Sequence, residues 1–385
     1  MTGDTWTLGG IGDVFLDRPD PEEAFAACRP ALADIDVVFG NCEGAFTDRP
    51  QFAPSAGWRV VSGIANAAPL GPAGFHVMSC ANNHSVDAGH AGLADTLAEL
   101  RRQGIATCGA GADLAEARTP AVVERAGMRV AFLAYASVYQ SGYEARAGVP
   151  GLAAMRVHSH YYIPDWDAYG KVEPGIQPQV RTIPYPEDVA VLEESIAQAR
   201  GMAEVVVASF HWGTASRPAV LLDYERMLGR IAVDAGADVV YGHHHHYLRG
   251  IEMRRGRPIF YGLGHFAFDL RGFGSALTPL EMAKLKQMGE HAIYPREGWP
   301  LLPFHPDARM TGIAINVMRG AAIEATALLP CMINQRNQPV PVSAEDTDGQ
   351  RILDYLRRIS DEVGLATRYA ADGPMVAGLR TISIA

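Results

Sequence analysis

The sequence predicts an α/β protein whose functional residues follow the ends of parallel β-strands. Short apolar runs of β type alternate with segments of helical period along the first half of the chain, and the alternation returns after residue 186. This order is typical of βαβ units that build a layered domain. The segment 242–246, a glycine followed by four histidines, comes directly after the apolar run 237–241. These observations predict a polar site at one edge of a parallel sheet.

Each element is predicted from its period and its end signals. Apolar runs predict strands at 5–16, 36–40, 75–80, 205–210 and 237–241, and hairpins at 121–124 with 129–134, 249–254 with 257–263 and 311–318 with 322–328. Helical spacing predicts helices at 22–35, 91–103, 187–200, 224–235 and 349–363. Pro21 marks the start of the first helix and Gly104 ends the second.

Two long segments show no sustained period and are predicted to be irregular. Residues 137–186 are rich in Gly, Pro, Tyr and His, and residues 270–310 form a second such stretch. Because long loops in compact domains are usually functional or disordered, the aromatic-rich 137–186 insertion is predicted to act as a substrate lid. The domain is expected to span 1–330, with 331–385 as a C-terminal extension whose helix packs on it.

Composition excludes several classes of function. The net charge is −10 with no run of like charges, so nucleic-acid binding is not expected. No apolar segment approaches the roughly 18 residues that a membrane span needs, and no signal peptide is visible. Five scattered cysteines without a CxxC pair argue against a disulfide framework or a thiolate zinc site. A cytoplasmic protein without a membrane anchor is expected, and homo-oligomerisation is left open.

The four-histidine run predicts a metal site. Neutral imidazole is the commonest metal ligand near neutral pH. Alternate residues at a strand end face the same way, so either His244 and His246 or His243 and His245 can point at one ion. A solvated polar loop is the alternative interpretation of the run taken alone.

Polar clusters follow further predicted strands and strengthen the metal interpretation. They are Gly12-Asp13, Asn41-Cys42-Glu43, the segment Ala81 to Asp87, His211-Trp212-Gly213 and Gly264-His265-Phe266. One such residue alone is more often a turn former or a helix cap. Clusters at consecutive strand ends converge on one rim of a sheet, and their mixed oxygen and nitrogen ligands suit Zn, Mn, Fe or Co.

The order of these motifs resembles the CapA-type family of poly-γ-glutamate capsule synthesis, a branch of the calcineurin-like metallophosphoesterases. The resemblance runs from about Thr5 to Asp269. It rests on the blocks GDVFLDR (12–18), NCEGAFTD (41–48), ANNHSVDAG (81–89), FHWG (210–213), GADVVYGHHHH (236–246) and PIFYGLGHFAFD (258–269).

The resemblance implies a four-layer α/β/β/α sandwich that holds two divalent metal ions, with Mn, Fe, Zn and Co as candidates. The implied metal ligands are Asp13, Glu43 in a bridging place, Asn83, His211, His244 and His246. His84 would be the general acid, and Asp87 is assigned with it to the catalytic pair. The residues predicted to bind substrate are Arg18, Asn41, Asn82, His243, His265 and Tyr161. For Arg18 a surface position at the start of a loop is an equally good interpretation.

The sequence departs from the family pattern at four places. Val14-Phe15 follows Asp13, so the usual Asp-x-His pair is absent and a single metal remains an alternative. His245 replaces the proline of a His-Pro-His run, and His265 stands where relatives often carry asparagine. The glutamate that commonly follows His-Trp-Gly is missing from residues 213–216.

The resemblance implies a hydrolase that uses a metal-bound hydroxide on a small, anionic substrate. Either a phosphoester or an amide or related C–N bond is compatible with this chemistry. The scarcity of Arg and Lys near the strand ends keeps amide hydrolysis open, because a phosphate reader needs such cations. The alternative function is a non-catalytic binding component of a system that synthesises poly-γ-glutamate or a capsule-type polymer.

Overall fold

Two large β-sheets face each other in the computed structural model, which describes residues 5–163, 177–215, 217–273 and 277–385. The strands, numbered along the chain, are β1 Thr5–Phe15, β2 Val37–Cys42, β3 Ala45–Phe46, β4 Val61–Ser62, β5 Val77–Ser79, β6 Ala106–Cys108, β7 Ala110–Gly111, β8 Ala121–Arg125, β9 Met128–Ala136, β10 Gly151–Leu152, β11 Val157–Tyr162, β12 Gln179–Pro184, β13 Val205–His211, β14 Val239–His243, β15 Ile251–Arg254, β16 Arg257–Phe260, β17 His265–Phe268, β18 Met310–Arg319, β19 Ala322–Ile333, β20 Pro339–Pro341, β21 Tyr369–Ala370, β22 Met375–Val376, β23 Leu379–Arg380 and β24 Ile382–Ile384. The helices are α1 Arg29–Ala33, α2 Gly89–Arg102, α3 Leu114–Arg118, α4 Pro186–Met202, α5 Asp223–Ala235, α6 Pro279–Gln287 and α7 Thr347–Glu362.

The first sheet combines a parallel half and an antiparallel half. Its order is β21-β24-β19-β18-β1-β2-β5-β6, with β17 beside β1 and β20 beside β19. Strands β1, β2, β5 and β6 are parallel, and β17 also runs parallel to β1. The carboxyl ends of these strands therefore meet at one edge of the sheet.

The second sheet has the order β15-β16-β14-β13-β9-β8, with β9, β13, β14 and β16 parallel. Alternate residues of these strands face opposite ways. Val205 and Val207 of β13 pack in the core shared with the first sheet, while Val206 and Ala208 pack in the layer formed with α4 and α5. Burial on both faces explains why these strands read as continuous apolar runs.

Aromatic rings join the two sheets. The ring of Phe39 on β2 stacks on Phe132 of β9 at 5.3 Å between centroids, and on Tyr241 of β14 at 5.6 Å. Tyr241 also receives a hydrogen bond at its hydroxyl oxygen from Asn316 Nδ2 of β18, at 3.1 Å. The mixed α/β class and the pair of facing sheets agree with the predicted fold class.

Several predicted elements differ in the structure. The predicted helix 22–35 is instead a 3-10 turn over Pro21–Phe25 followed by the short α1, because Pro30 lacks an N–H and its ring clashes with the preceding turn. The stretch 270–310 is not wholly irregular, since it contains α6. That helix begins with a capping box in which Thr278 Oγ1 accepts from Glu281 N and Glu281 accepts from Thr278 N.

The insertion at 137–186 also holds regular structure, contrary to the prediction. Strands β11 and β12 form an antiparallel hairpin, and residues 164–176 between them lie outside the described residues. The segment before the hairpin returns to the domain, because Ala136 N donates to Ala153 O and Met155 N to Ala136 O. Cross-strand pairing that sequence spacing does not reveal accounts for the difference.

The C-terminal residues extend the first sheet. Strand β19 runs through the predicted domain boundary at residue 330, and β20, β21 and β24 join the same sheet. Helix α7 packs on β19 and β21, and Tyr355 OH donates to Leu248 O at 3.0 Å. Among the described ranges, no helix has both the length and the apolar character required to cross a bilayer.

Candidate metal centre

The edge at which the parallel strands end brings together a buried cluster of acids and histidines. Asp13 lies near the end of β1, Glu43 follows β2, Asn83 follows β5, and His211 ends β13. The histidine run begins at the end of β14, where strand register pairs His211 with His243. Carboxyl ends of parallel strands are the usual place for ligands in α/β sheets.

One group of potential ligands contains Asp13, His246 and His265. Their donor atoms lie within 4.8 Å of one another, and all three residues are buried. Asp13 Oδ2 is 3.4 Å from His246 Nδ1. The rings of His246 and His265 stack with their centroids 4.5 Å apart.

A second group contains Glu43, His211 and His244, again with donor atoms within 4.8 Å of one another. The amide oxygen of Asn83 adds a further donor, because its Oδ1 is 2.6 Å from His211 Nε2. Asn83 therefore lies where a fourth ligand of this group would be expected.

Glu43 lies between the two groups. Its Oε1 is 3.7 Å from His211 Nε2 and 3.9 Å from His246 Nε2. One carboxylate thus faces a histidine of each group. This position agrees with the bridging place that the family resemblance implies.

Seven buried atoms of the cluster lack a hydrogen-bond partner among the described residues, and this observation tests whether a cation fits. Buried atoms without a hydrogen bond are Asp13 Oδ2, both Glu43 oxygens, His244 Nδ1, His246 Nδ1 and both ring nitrogens of His265. Each buried polar atom without a partner costs about 1–3 kcal/mol, and folded proteins contain few of them. A divalent cation would satisfy these atoms together, and their mixed oxygen and nitrogen chemistry suits Zn, Mn, Fe or Co.

The electrostatics favour neutral imidazoles and penalise the paired carboxyls. Burial, and next the neighbouring His244, lower the pKa of His211, so its imidazole is neutral at pH 7. Burial, and next His246, likewise lower the pKa values of His244 and His265. Burial and the charge of Asp13 raise the pKa of Glu43. The neutral ring is the form that ligates a metal, and a cation would offset the cost of placing two carboxylates together.

The backbone of the histidine run is strained at alternate positions. His244 has φ 91° and His246 has φ 61°, both in the left-handed region. Non-glycine residues rarely adopt this region, and such strain is concentrated at functional sites. The turn that it produces places the side chains of both residues in the cluster.

His243 and His245 do not join either group of ligands. His243 Nε2 is 3.0 Å from Ile11 O, and its Nδ1 is 3.3 Å from Ser209 Oγ. This histidine therefore ties β14 to β13 and to the first sheet. Its predicted role in substrate binding has no support from these contacts.

His245 has a carboxylate partner that the sequence does not reveal. Its Nε2 is 2.7 Å from Glu225 Oε1, and Glu225 Oε2 accepts from Leu222 N at 2.7 Å. Burial raises the pKa of Glu225 to about 7. This carboxylate comes from the first turn of α5. Its one sequence signal is its place in the first turn of a predicted helix.

Asn41 and Asn82 form a chain of hydrogen bonds that leads to Asp13 of the cluster. Asn41 Nδ2 donates to Asp13 Oδ1 at 2.9 Å, and Asn82 Nδ2 donates to Asn41 Oδ1 at 3.2 Å and to Cys42 O at 2.8 Å. Both asparagines are fully buried. The Asn41 amide thus orients Asp13 and the Asn82 amide orients Asn41, and their predicted contact with substrate remains a prediction.

His84 is held by a buried carboxylate at the rim of the cluster. Its Nδ1 is 2.8 Å from Asp87 Oδ2, and its side chain is 12% exposed. Asp87 also accepts from Val60 N at 2.8 Å and from Tyr143 OH at 2.7 Å. Tyr143, which comes from the insertion, is a contributor that sequence reasoning missed.

Arg18 and Tyr161 lie in other surroundings. Arg18 is neither a surface residue nor a free anchor, because its guanidinium is paired with Asp269 and donates to the carbonyls of Arg336 and Asn337. Tyr161 lies on the β11–β12 hairpin with 73% of its side chain exposed. Neither residue contacts the two ligand groups in the described part of the chain, so their substrate-binding roles remain predictions.

The facing sheets and the buried cluster define an α/β protein with a candidate centre for divalent cations. The chain belongs to the bacterial capsule synthesis protein family PGA_cap, whose profile matches residues 1–270. This match confirms the family that the ordered motifs predict.

Known relatives agree with this family. The chain is similar to the PGA biosynthesis protein CapA of Bacillus subtilis (strain 168), with 27% identity over 296 residues, which cover 73% of this chain and 69% of the relative. A "Probable polyglutamine synthesis accessory protein" of Mycobacterium tuberculosis (strain ATCC 25618 / H37Rv) is 35% identical over 205 residues, covering 52% of this chain and 47% of the relative. The match therefore spans about half the length of the mycobacterial protein.

Among solved structures, the calcineurin-like phosphoesterase YfkN of Bacillus subtilis aligns over 94% of this chain and 99% of that chain. The TM-score is 0.39 and the sequence identity is 12%. Similarity at this level does not indicate what the site does. The family of this chain is shown by the sequence match.

Proposed function

We propose that this protein is a metal-dependent hydrolase that acts on a small, anionic substrate. The observation that carries the proposal is the buried cluster of carboxylate and imidazole atoms without protein partners. A purely structural core would not leave so many polar atoms unsatisfied.

Two cations would fit the two groups of ligands. Asp13, His246 and His265 would hold one, and His211, His244 and Asn83 would hold the other, with Glu43 between them. When bound, the cations would supply Lewis acidity, which activates water and polarises the bond that is cleaved. Asn41 would keep Asp13 oriented by its hydrogen bond.

His84 would move the proton to the leaving group. Asp87 holds Nδ1, which leaves Nε2 as the nitrogen that can exchange a proton with substrate. The side chain is partly exposed, whereas His211, His246 and His265 are buried, so a substrate at the rim can reach it. A positioned general acid contributes about 10²–10⁴-fold to a rate.

The bond that is cleaved is a phosphoester or an amide. Two buried arginines are already engaged by protein, since Arg18 pairs with Asp269 and Arg249 donates to Thr214 O at 2.6 Å and to Val220 O at 3.0 Å. Because these guanidinium groups already bind protein atoms, fewer cationic side chains remain to bind a phosphate dianion. Amide hydrolysis therefore remains a candidate.

The test combines metal analysis with a substrate screen. Protein purified without added metal is expected to contain Mn, Fe, Co or Zn by mass spectrometry. The loaded protein is then assayed with bis(p-nitrophenyl) phosphate, p-nitrophenyl phosphate and γ-glutamyl p-nitroanilide. His84→Gln should lower turnover by about 10²–10⁴-fold with unchanged metal content, while His76→Gln, before β5 at the end of the strand opposite the cluster, should not. Absence of turnover with each of the four metals would contradict the hydrolase proposal.

The alternative is a non-catalytic binding component of a polymer-synthesis system. The mycobacterial relative is named an accessory protein, which favours this candidate. If it is correct, polymer output in cells should be the same for His84→Gln and the unchanged protein, and the purified protein should bind γ-linked glutamate oligomers without cleaving them. A loss of polymer that parallels the loss of turnover would favour the enzyme.

A further inference from the structure

His265 lies in the ligand group although the sequence predicts for it a role in substrate binding. We propose that His265 is a direct metal ligand of this chain, completing a site of one carboxylate and two imidazoles with Asp13 and His246. The proposal deepens the proposed metal centre and rests on it, but it concerns one residue that can be tested separately.

Strand pairing brings His265 to Asp13. Strand β17 lies parallel beside β1, with Asp13 opposite His265 in register, and Asp13 N donates to Gly264 O at 2.9 Å. The two strands approach so closely at Gly12 that a Cβ there would lie 2.0 Å from Gly264 O. Glycine at position 12 therefore permits the approach that places His265 in the group.

The ring nitrogens of His265 have no hydrogen-bond partner within the described part of the chain. The residue is fully buried, and both Nδ1 and Nε2 lack a hydrogen-bond partner. Its ring packs against Phe304 at 4.3 Å and Phe268 at 5.2 Å between centroids. Burying such polar atoms among aromatic rings without a partner is costly, whereas a metal bond would satisfy one of them.

His243 shows what a structural histidine looks like at the same edge. It is equally buried, but its two ring nitrogens meet Ile11 O and Ser209 Oγ. The difference between the two residues is therefore in their partners and not in their exposure.

A role of His265 in binding substrate fits less well. A substrate must reach the side chain that binds it, and His265 has no exposed surface, whereas His84 at the rim does. Phe15 stands where the Asp-x-His pair of the family pattern has its histidine, and it has no donor atom for a cation. His265 brings an imidazole to Asp13 from the neighbouring strand instead.

The experiment measures metal binding and not activity. His265→Phe, which suits the aromatic surroundings, is compared with the unchanged chain and with His243→Phe as the equally buried control. Each protein is stripped of metal and titrated with Co²⁺ and Zn²⁺ by calorimetry and by the visible spectrum of Co²⁺. We expect His265→Phe to weaken one class of site by at least about 10-fold and to change the Co²⁺ spectrum, because even the loss of a residue that only hydrogen-bonds to a ligand costs about 10–100-fold. His243→Phe should leave both readouts unchanged wherever it folds.

Thermal stability, measured with and without metal, provides a second readout if a variant folds poorly. Without metal, His265→Phe should be no less stable than the unchanged chain, because it removes an unsatisfied buried ring. With metal, it should gain less in Tm. Equal affinity and equal spectra in His265→Phe and the unchanged chain would overturn this inference alone. If the unchanged chain binds neither Co²⁺ nor Zn²⁺, the whole proposed centre fails with it.

Discussion

Four consecutive histidines divide into two kinds within one turn of the chain. His244 and His246 have left-handed backbone angles and a buried ring nitrogen without a partner. His243 and His245 instead contact protein atoms: His243 meets Ile11 O and Ser209 Oγ, and His245 Nε2 meets Glu225, although His245 Nδ1 also lacks a partner among the described residues. Identical residues therefore differ in what surrounds them, and the left-handed backbone at His244 and His246 turns these two side chains into the cluster.

The difference between the two pairs of histidines predicts its largest effect on metal affinity. His244→Ala combined with His246→Ala removes one ligand from each group, so metal content should fall sharply and the affinity of each site by at least about 10–100-fold. His243→Ala combined with His245→Ala is the matched pair, and where it folds it should retain metal. Mass spectrometry after dialysis measures both. Equal metal loss in the two pairs would show that the division of the run is incorrect.

Removing the metal should destabilise the whole domain. A ligand that binds only the folded state at 100 times its Kd stabilises it by about 2.7 kcal/mol. We expect a chelator such as EDTA to lower Tm by several degrees, and added Zn²⁺ or Mn²⁺ to restore it. The His244→Ala, His246→Ala protein should show no such response in a thermal melt. A chelator effect of the same size in that variant would contradict the assignment.

The contacts of His243 and His245 with protein atoms should affect stability and not metal binding. Glu225→Ala leaves His245 Nε2 and Leu222 N without their acceptor in a buried place. The free energy of unfolding should fall by about 1–3 kcal/mol, measured by urea denaturation. Calorimetric metal affinity should stay within about twofold, after the loss of stability is taken into account. Asp346→Ala changes an exposed carboxylate at the start of α7, outside the histidine run. It is the control and should also leave the metal affinity unchanged.

Much of this site could be predicted because its residues follow strands that the sequence marks clearly. Asp13, Glu43 and His211 come directly after apolar runs, and parallel strands carry their ends to one edge. The period alone left open which alternate pair of histidines ligates, and the family resemblance selected His244 and His246. The backbone turn and the partner atoms support the same pair, and both depend on the folded chain.

The residues that sequence reasoning missed reach the site from far along the chain. Glu225 comes from the first turn of α5, and Tyr143 comes from an insertion predicted to be irregular. Arg18 pairs with Asp269, 251 residues away, so nothing local distinguishes this buried pair from a free anion anchor. Local period and motif order predict strand ends, but they do not predict contacts between distant side chains.

The smallest predicted effect extends the comparison to His84. This histidine combines both features of the run, because Asp87 holds its Nδ1 and its other nitrogen remains available. Asp87 in turn accepts from Tyr143 OH at 2.7 Å, so Tyr143 would position His84, the proposed general acid, through Asp87. A hydrogen bond of this kind contributes about 0.5–1.5 kcal/mol, which corresponds to roughly a 2–10-fold change in rate.

Tyr143→Phe should therefore lower kcat for the best substrate of the screen by about 2–10-fold, with KM and metal content unchanged. Tyr139→Phe, from the same insertion, is the matched control and should keep kcat. A role of Tyr143 in packing alone would leave kcat unchanged, because phenylalanine retains the ring, and a role in binding substrate would raise KM instead. The split between kcat and KM thus decides whether the insertion orients His84 through Asp87 or only covers it.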